Sequence, residues 1–312
     1  MLTQDTLAII IPAYKPDFLK KALLSLSQQT CKNFTLYIGD DNSPHHLEKI
    51  IAPFYNQLNI IYKKFDTNIG GKDLVAQWER CINLTNEEEW LWLFSDDDIM
   101  GENCVQLFFQ EINKNKDKYD LYHFDVIRID ENDKQTANPY NYPIELDSLS
   151  FYRRKITGNL LSLVIENIFS RSIYNEMKGF QSFDLAWGSD TASWCKFTSK
   201  RPMKTIHGDY VYWRSSSQNI SSIMTPQIAE RKIAALLNFF RWSLDFFEKD
   251  KIIIYNYLGF IKRLPDYKKK LSPHLYNAYI NQFCNLHFSF HIGILSITKL
   301  LVNILILKKK LC

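Results

Sequence analysis

Three consecutive carboxylates end an apolar run: Trp90-Leu91-Trp92-Leu93-Phe94-Ser95 leads into Asp96, Asp97 and Asp98. Like charges side by side repel and cost stability unless a cation sits among them. A divalent cation with oxygen ligands, its shell completed by a substrate phosphate, relieves that repulsion. A buried strand that delivers acids to the carboxyl edge of a sheet also puts them where α/β folds bind ligands. The plain alternative is an acidic turn after a strand. A second acid pair, Asp40-Asp41, follows another apolar segment. In a parallel sheet both clusters lie along one edge and can face one ligand. Asp41 is suited to a base or ribose, because a carboxylate accepts from ring N–H and hydroxyl groups. Its structural alternative is to cap a helix after Pro44, a role equally open to Asn42 and Ser43. Asn68-Ile69-Gly70-Gly71 opens a further helix. Paired glycines allow close backbone approach to a ligand, and they are also ordinary turn residues.

The elements that must position these residues follow from periodicity. Leu7 to Pro12 reads as a buried strand. Asp17 to Gln28 carries Phe18, Ala22, Leu23 and Leu26 on one helical face. Phe34 to Gly39 is a second strand, and a helix can start at Pro44. Asn59 to Lys63 is a third strand, Lys72 to Leu84 a helix, and Glu89 to Phe94 a fourth strand. This alternation predicts a doubly wound sheet with helices on both faces. Asp130 to Asp147 is polar and reads as a surface loop or short hairpin.

Beyond Ser222 the character changes. Thr225-Pro226 starts a helix over Ile228 to Phe247, and more helices run from Lys249 to Leu286. The expected organisation is a catalytic domain over residues 1–222 and a helical extension over 223–312. Ile292 to Leu307 is strongly apolar and ends in Lys308-Lys309-Lys310. It is shorter than the roughly 20 residues that span a bilayer, and Lys299 interrupts it. Ser296, Lys299 and Asn303 form a narrow polar stripe. An interfacial helix on an anionic membrane explains this pattern. A helix packed on the catalytic domain explains it too.

Composition excludes several classes. The 312 residues, 46% of them hydrophobic, are enough for one sizeable domain plus an appendage. Lys and Arg number 38 against 34 Asp and Glu, and the balance of +4 is too small to argue for nucleic acid. Six scattered cysteines without a C-x-x-C pair speak against structural zinc and a disulfide framework, and for reduced thiols in a cytosol. No basic region precedes Leu7, so the first apolar run is a strand and not a signal peptide.

The order of motifs carries a resemblance. Ile9-Ile10-Ile11-Pro12-Ala13-Tyr14, then Ser25-Leu26-Ser27-Gln28-Gln29-Thr30, then Leu36-Tyr37-Ile38-Gly39-Asp40-Asp41-Asn42-Ser43 resemble the nucleotide-sugar half of family 2 glycosyltransferases. Asn68-x-Gly70 and Phe94-Ser95-Asp96-Asp97-Asp98 continue the match, which covers about residues 5 to 220. The resemblance implies the GT-A fold: a Rossmann-like, mixed but mainly parallel sheet flanked by helices, here with a C-terminal helical extension. It also implies that Asp41 contacts the uracil of a UDP-sugar. Pro12, Ala13 and Tyr14 would line the base, with the Tyr14 ring free to stack, and Asn68 and Gly70 would join the donor site. Asp96 would lie near the ribose, with Asp97 on a Mn²⁺ or Mg²⁺ ion and Asp98 a ligand or a partner behind it.

There are departures from the family pattern. Ser95 stands where an Asp is commonest. In Trp187-Gly188-Ser189-Asp190, Ser189 replaces the Glu of a Glu-Asp pair, and Asp190 keeps the general-base position. Trp213-Arg214-Ser215-Ser216 lacks the His of an Arg-x-His segment. His207 nearby reads as structural. Trp187 is a candidate platform for an acceptor sugar, Trp194 reads as core, and Asp184 is the rival base.

One base and one metal without a protein nucleophile is the arrangement for single displacement with inversion. The base contributes about 10²–10⁴-fold, and the metal neutralises the leaving diphosphate. The expected partners are a nucleotide-sugar donor and a glycan or lipid-linked glycan acceptor of surface polysaccharide synthesis. Nucleic acid is not expected. The expected location is the cytoplasm, at the inner face of the membrane. Two alternatives stay open. A nucleotidyltransferase would carry a glycine-rich basic loop where Pro12-Ala13-Tyr14-Lys15-Pro16 stands. A non-catalytic carbohydrate-binding or scaffold protein would keep the fold without turnover.

Overall fold

The computed structural model describes residues 7–115 and 117–288. The apolar segment 292–307 lies outside the described residues. The described chain divides into two compact units, with the break between Ile223 and Met224.

The first unit is built on β1 (Leu7–Ala13), β2 (Thr35–Asp40), β3 (Ile60–Lys64) and β4 (Trp90–Leu93), all parallel neighbours in the order β3-β2-β1-β4. β1, β2 and β4 are buried nearly throughout, which explains their uninterrupted apolar runs. α1 (Leu19–Ser27) follows β1 and buries Leu19, Ala22, Leu23 and Leu26. The helix after β2 is short, α2 (Leu47–Ile51), and starts three residues after Pro44. α3 (Leu74–Ile82) follows β3. Its cap is Asp73, whose carboxylate accepts from the Ala76 N–H.

Past β4 the chain adds strands that the periodicity does not announce. β5 (Ile99–Met100), α4 (Cys104–Lys114), β6 (Leu121–Ile129), β7 (Gln135–Ala137), β8 (Glu145–Leu146), α5 (Ser148–Ile156), β9 (Asn167–Ser170), α6 (Arg171–Glu176), α7 (Ser189–Phe197) and β10 (Met203–Arg214) complete the unit. The sheet continues β4-β9-β6-β10-β5. β9 runs antiparallel between β4 and β6, whereas β6 and β10 are parallel. The polar stretch after Asp130 is the expected hairpin, β7 folding back on β6. β10 bulges between Ile206 and Tyr210, at His207-Gly208-Asp209. Trp90, Trp92 and Phe94 of the β4 run pack with Phe108, Tyr122 and Phe124 in one core.

The second unit comprises α8 (Pro226–Phe246), α9 (Lys249–Lys268) and α10 (Pro273–Phe288). Thr225 caps α8 by accepting from the Ile228 N–H, as Thr-Pro at a helix start implies. Phe240, Phe260 and Phe283 join its three helices. The rings of Phe260 and Phe283 stack 3.9 Å apart. Among the described residues no helix is long and apolar enough to cross a membrane.

Candidate active site

The carboxyl end of β1 is the hub of the site. Its last backbone groups are held from both sides. The Asp41 N–H donates to the Ala13 carbonyl at 2.9 Å, and the Ser43 hydroxyl to the Tyr14 carbonyl at 2.7 Å. From the β4 side, Asp96 Oδ2 accepts the Tyr14 and Lys15 N–H groups at 2.8 and 2.9 Å. The two acid clusters therefore meet at residues 13–15, although 55 positions separate Asp41 from Asp96 in the chain. Tyr14 itself is 41% exposed, which leaves its ring free for a ligand.

The three acids behave differently. Burial, with Asp97 beside it, pushes the Asp96 carboxyl up to about 6 against the pull of Lys15 and the two N–H donors. Asp97 turns Oδ2 to the Lys15 ammonium, 3.2 Å away. The Ser95 hydroxyl lies 2.6 Å from both Asp97 Oδ1 and Asp98 Oδ2. One hydroxyl proton cannot serve two carboxylates. Asp98 is 1% exposed, and burial followed by the charge of Asp97 raises its pKa well above the usual range. The Ser95 hydroxyl thus links the Asp97 and Asp98 carboxyls. The other Asp98 oxygen accepts the Arg214 N–H at 2.6 Å. The fully buried Arg214 guanidinium braces the same turn, donating to the carbonyls of Asp97 and Asp130 at 2.8 Å each and stacking over Phe18.

Asp41 is buried, with both carboxylate oxygens engaged. Oδ1 accepts from the Ile69 N–H at 2.8 Å and from Arg80 Nη2 at 2.6 Å, and Oδ2 from the Gly70 N–H at 2.8 Å. It locks the Asn68-Gly70 loop to the end of β2. It does not cap α2, where His46 takes the cap position. A Cβ on Gly70 would stand 2.6 Å from Asp41 Oδ2, so this close approach requires glycine. Asn68 closes the turn by accepting the Gly71 N–H.

Asp190 lies in the first turn of α7. The N–H of Thr191 donates to its Oδ1 at 2.7 Å. The loop before it is strained: Leu185 (φ 57°) and Ala186 (φ 53°) are left-handed, and Gly188 has φ 94°. Hydroxyls hold this loop in place. Ser189, in the position of a family Glu, accepts the Phe183 N–H, and Ser193 accepts that of Gln181, each at 2.9 Å. Trp187 is half-buried at the end of this loop. Trp194 is fully buried core, its indole N–H donating to the Leu163 carbonyl. Tyr142 stacks on the buried His123 ring at 3.8 Å. His207 pairs with Asp125 at 3.3 Å. Asp190 thus stands at the start of α7, behind this hydroxyl-braced loop.

A family model described as glycosyl transferase family 2 matches residues 8–177, more than half of the chain. The chain belongs to glycosyl transferase family 2. It is 23% identical over 181 residues to glycosyltransferase GlyG of Streptococcus pneumoniae, covering 58% of this chain and 52% of that protein. It is 21% identical over 215 residues to protein CgeD of Bacillus subtilis, covering 67% and 45%. The chain therefore spans about half the length of these curated relatives. Among solved structures, S. aureus TarS 1–349 in complex with UDP-GlcNAc superposes with a TM-score of 0.58 at 14% identity, covering 91% of both chains. The architecture is that of the GT-A fold, a mixed sheet flanked by helices and followed by C-terminal helices.

A divalent cation is the group this family's acid motif implies. The donor atoms here are hard carboxylate oxygens, which suit Mg²⁺ or Mn²⁺. Asp97 Oδ2 already faces a cation, and Asp96 spends only Oδ2 on its backbone bonds. Asp98 has both oxygens committed to Ser95 and Arg214. Among the described residues no three His, Cys, Asp or Glu side chains form a ready metal cage. If such an ion binds, Asp97 would be the residue to hold it, and Asp96 Oδ1 is the other carboxylate oxygen at the turn not used by those backbone bonds.

Four residues that sequence reasoning gave no role complete this framework. Lys15, Ser95, Arg80 and Arg214 supply cations and hydrogen bonds to the acids. Their partners lie 2 to 117 positions away. Arg214 had one sequence signal, its place in the degraded Arg-x-His segment.

Proposed function

We propose that this chain transfers a sugar, with inversion, from a nucleotide-sugar of the UDP class to a glycan or lipid-linked glycan acceptor in surface polysaccharide synthesis. The observation that carries this reading is the meeting of the two acid clusters at Ala13-Tyr14-Lys15. That meeting makes one binding edge with an exposed aromatic ring, a glycine turn and a carboxylate facing a cation. The UDP-GlcNAc complex of S. aureus TarS, a structure of the same fold, supports the donor class.

In this mechanism Tyr14 stacks on the base. Asp41 holds the Asn68–Gly70 loop against it. Asp96 fixes the Tyr14-Lys15 backbone beside the ribose. Mg²⁺ or Mn²⁺, when bound at Asp97, supplies Lewis-acid neutralisation of the leaving diphosphate. Asp190 accepts the proton of the attacking acceptor hydroxyl, and Trp187 offers a face to the acceptor ring. Lipid-linked acceptors would bring the chain to the cytoplasmic face of a membrane.

The test is a thermal-stability screen of UDP-, GDP-, dTDP- and CMP-sugars, each with and without Mn²⁺. A ligand at about 100 times its Kd adds roughly 2.7 kcal/mol. Stabilisation by UDP-sugars that requires Mn²⁺ is the expected result. No stabilisation by any nucleotide sugar would overturn the proposal.

A further inference from the structure

Lys15 is the first residue past Tyr14 on the loop leaving β1. Its backbone is pinned, because its own N–H and that of Tyr14 both donate to Asp96. Its side chain is not pinned in the same way. It lies against Asp97 Oδ2 at 3.2 Å and is 30% exposed, against 11% for the Asp97 side chain.

The cation that relieves acid repulsion at this turn is therefore part of the chain. A divalent ion on Asp97 Oδ2 and an ammonium at 3.2 Å from the same atom repel each other strongly. When one arrives, the other must leave. A lysine is a compact point charge on a flexible stem, so it can swing while its backbone stays fixed. In the donor site proposed above, the released ammonium would face the donor's diphosphate at this end of β1.

We infer that Lys15 is a mobile counter-cation. It covers Asp97 while the donor is absent and moves onto the donor's diphosphate as a divalent ion takes Asp97. On the diphosphate it is a catalytic residue. As the anomeric C–O bond breaks and the electron pair passes to the leaving oxygen, its positive charge offsets the charge that builds there. This inference rests on the donor site proposed above.

The test uses the full chain with Lys15→Met and Lys15→Arg, each checked by circular dichroism and melting. Mn²⁺ alone is titrated by electron paramagnetic resonance, and UDP with Mn²⁺ by calorimetry. An opposite charge at this range shifts ionic equilibria by about tenfold or more. Lys15→Met should therefore bind Mn²⁺ alone about tenfold tighter than the parent and bind UDP with Mn²⁺ about tenfold more weakly. Lys15→Arg should stay near the parent in both. A merely structural lysine would weaken both affinities when removed. Unchanged or weaker Mn²⁺ binding in Lys15→Met overturns the inference, including the case where neither protein binds Mn²⁺. Failure of the parent to bind UDP would count against the donor reading instead, and the Mn²⁺ comparison stands without it.

Discussion

Replacing Asp41 by Asn removes one charge and changes almost no volume, yet it should be costly. The carboxylate accepts three hydrogen bonds, from the Ile69 and Gly70 N–H groups and from Arg80. An amide presents one acceptor oxygen, and its NH₂ must face an N–H donor whichever way it flips. Breaking a buried ion pair costs about 3–5 kcal/mol, and losing a single charged hydrogen bond about 1.5–3. Arg80 is 22% exposed and stacks on Phe65 at 3.8 Å, so it keeps water and a ring after the loss. That lowers the expected destabilisation to about 2–4 kcal/mol. For a unit of this size the melting temperature should fall by about 5–15 °C. Urea unfolding measures the energy, and hydrogen exchange at Ile69 and Gly70 reports the loop directly. UDP affinity should fall together with amide protection. If stability and protection stay within error of the parent, Asp41 does not carry the loop. If UDP affinity then falls alone, Asp41 touches the base directly.

Three further outcomes follow from the same contacts. Gly70→Ala places a methyl 2.6 Å from Asp41 Oδ2 and should cost about 1–3 kcal/mol in denaturant unfolding, with donor affinity falling in parallel. Arg214→Lys cannot donate to the Asp97 and Asp130 carbonyls in the same geometry, so thermal unfolding should show a loss of about 2–3 kcal/mol. Burial pushes the Glu166 carboxyl up to about 7, although Leu163 and Ser162 donate to it. Its folded pKa lies above its unfolded value of 4.5, so the native state binds the extra proton and stability falls as pH rises between about 4.5 and 7. Glu166→Gln should therefore gain up to about 3 kcal/mol on the parent between pH 4.5 and pH 8. A difference that does not change with pH would reject that reasoning.

β1, β2 and β4 were legible because each is buried nearly throughout and reads as an apolar run, and β2 and the β4 run lead into acids; β3, half-buried to exposed, was legible from its short Ile60-Ile61-Tyr62 stretch. The later strands were not. β6 carries His123 and Asp125 inside its run, β9 is only four residues long, and β10 is interrupted by the bulge at His207-Gly208-Asp209. Tertiary pairing decides such segments. The acid residues of the site were legible from type and spacing, because three adjacent carboxylates demand a partner. The partners were not legible. Arg80 reaches Asp41 across 39 positions, and Arg214 reaches Asp98 across 116, so only the fold brings them together. Adjacency suggests a metal ligand for Asp98; what the fold adds is its burial and the contacts of its two oxygens with the Ser95 hydroxyl and the Arg214 N–H.

The central claim is that one edge binds a nucleotide sugar through Asp97 while Asp190, in the first turn of α7, takes the acceptor proton. Its most direct test is UDP release from a UDP-sugar with a competent acceptor, assayed side by side for the parent, Asp97→Asn, Asp190→Asn and Asp184→Asn. The account predicts Mn²⁺- or Mg²⁺-dependent release by the parent. It predicts loss of donor and metal binding in Asp97→Asn. Asp190→Asn should keep donor binding but turn over at least about 10²-fold more slowly. Asp184→Asn should stay near the parent. Full activity in Asp190→Asn with loss in Asp184→Asn, or parental metal and donor affinity in Asp97→Asn, would contradict it.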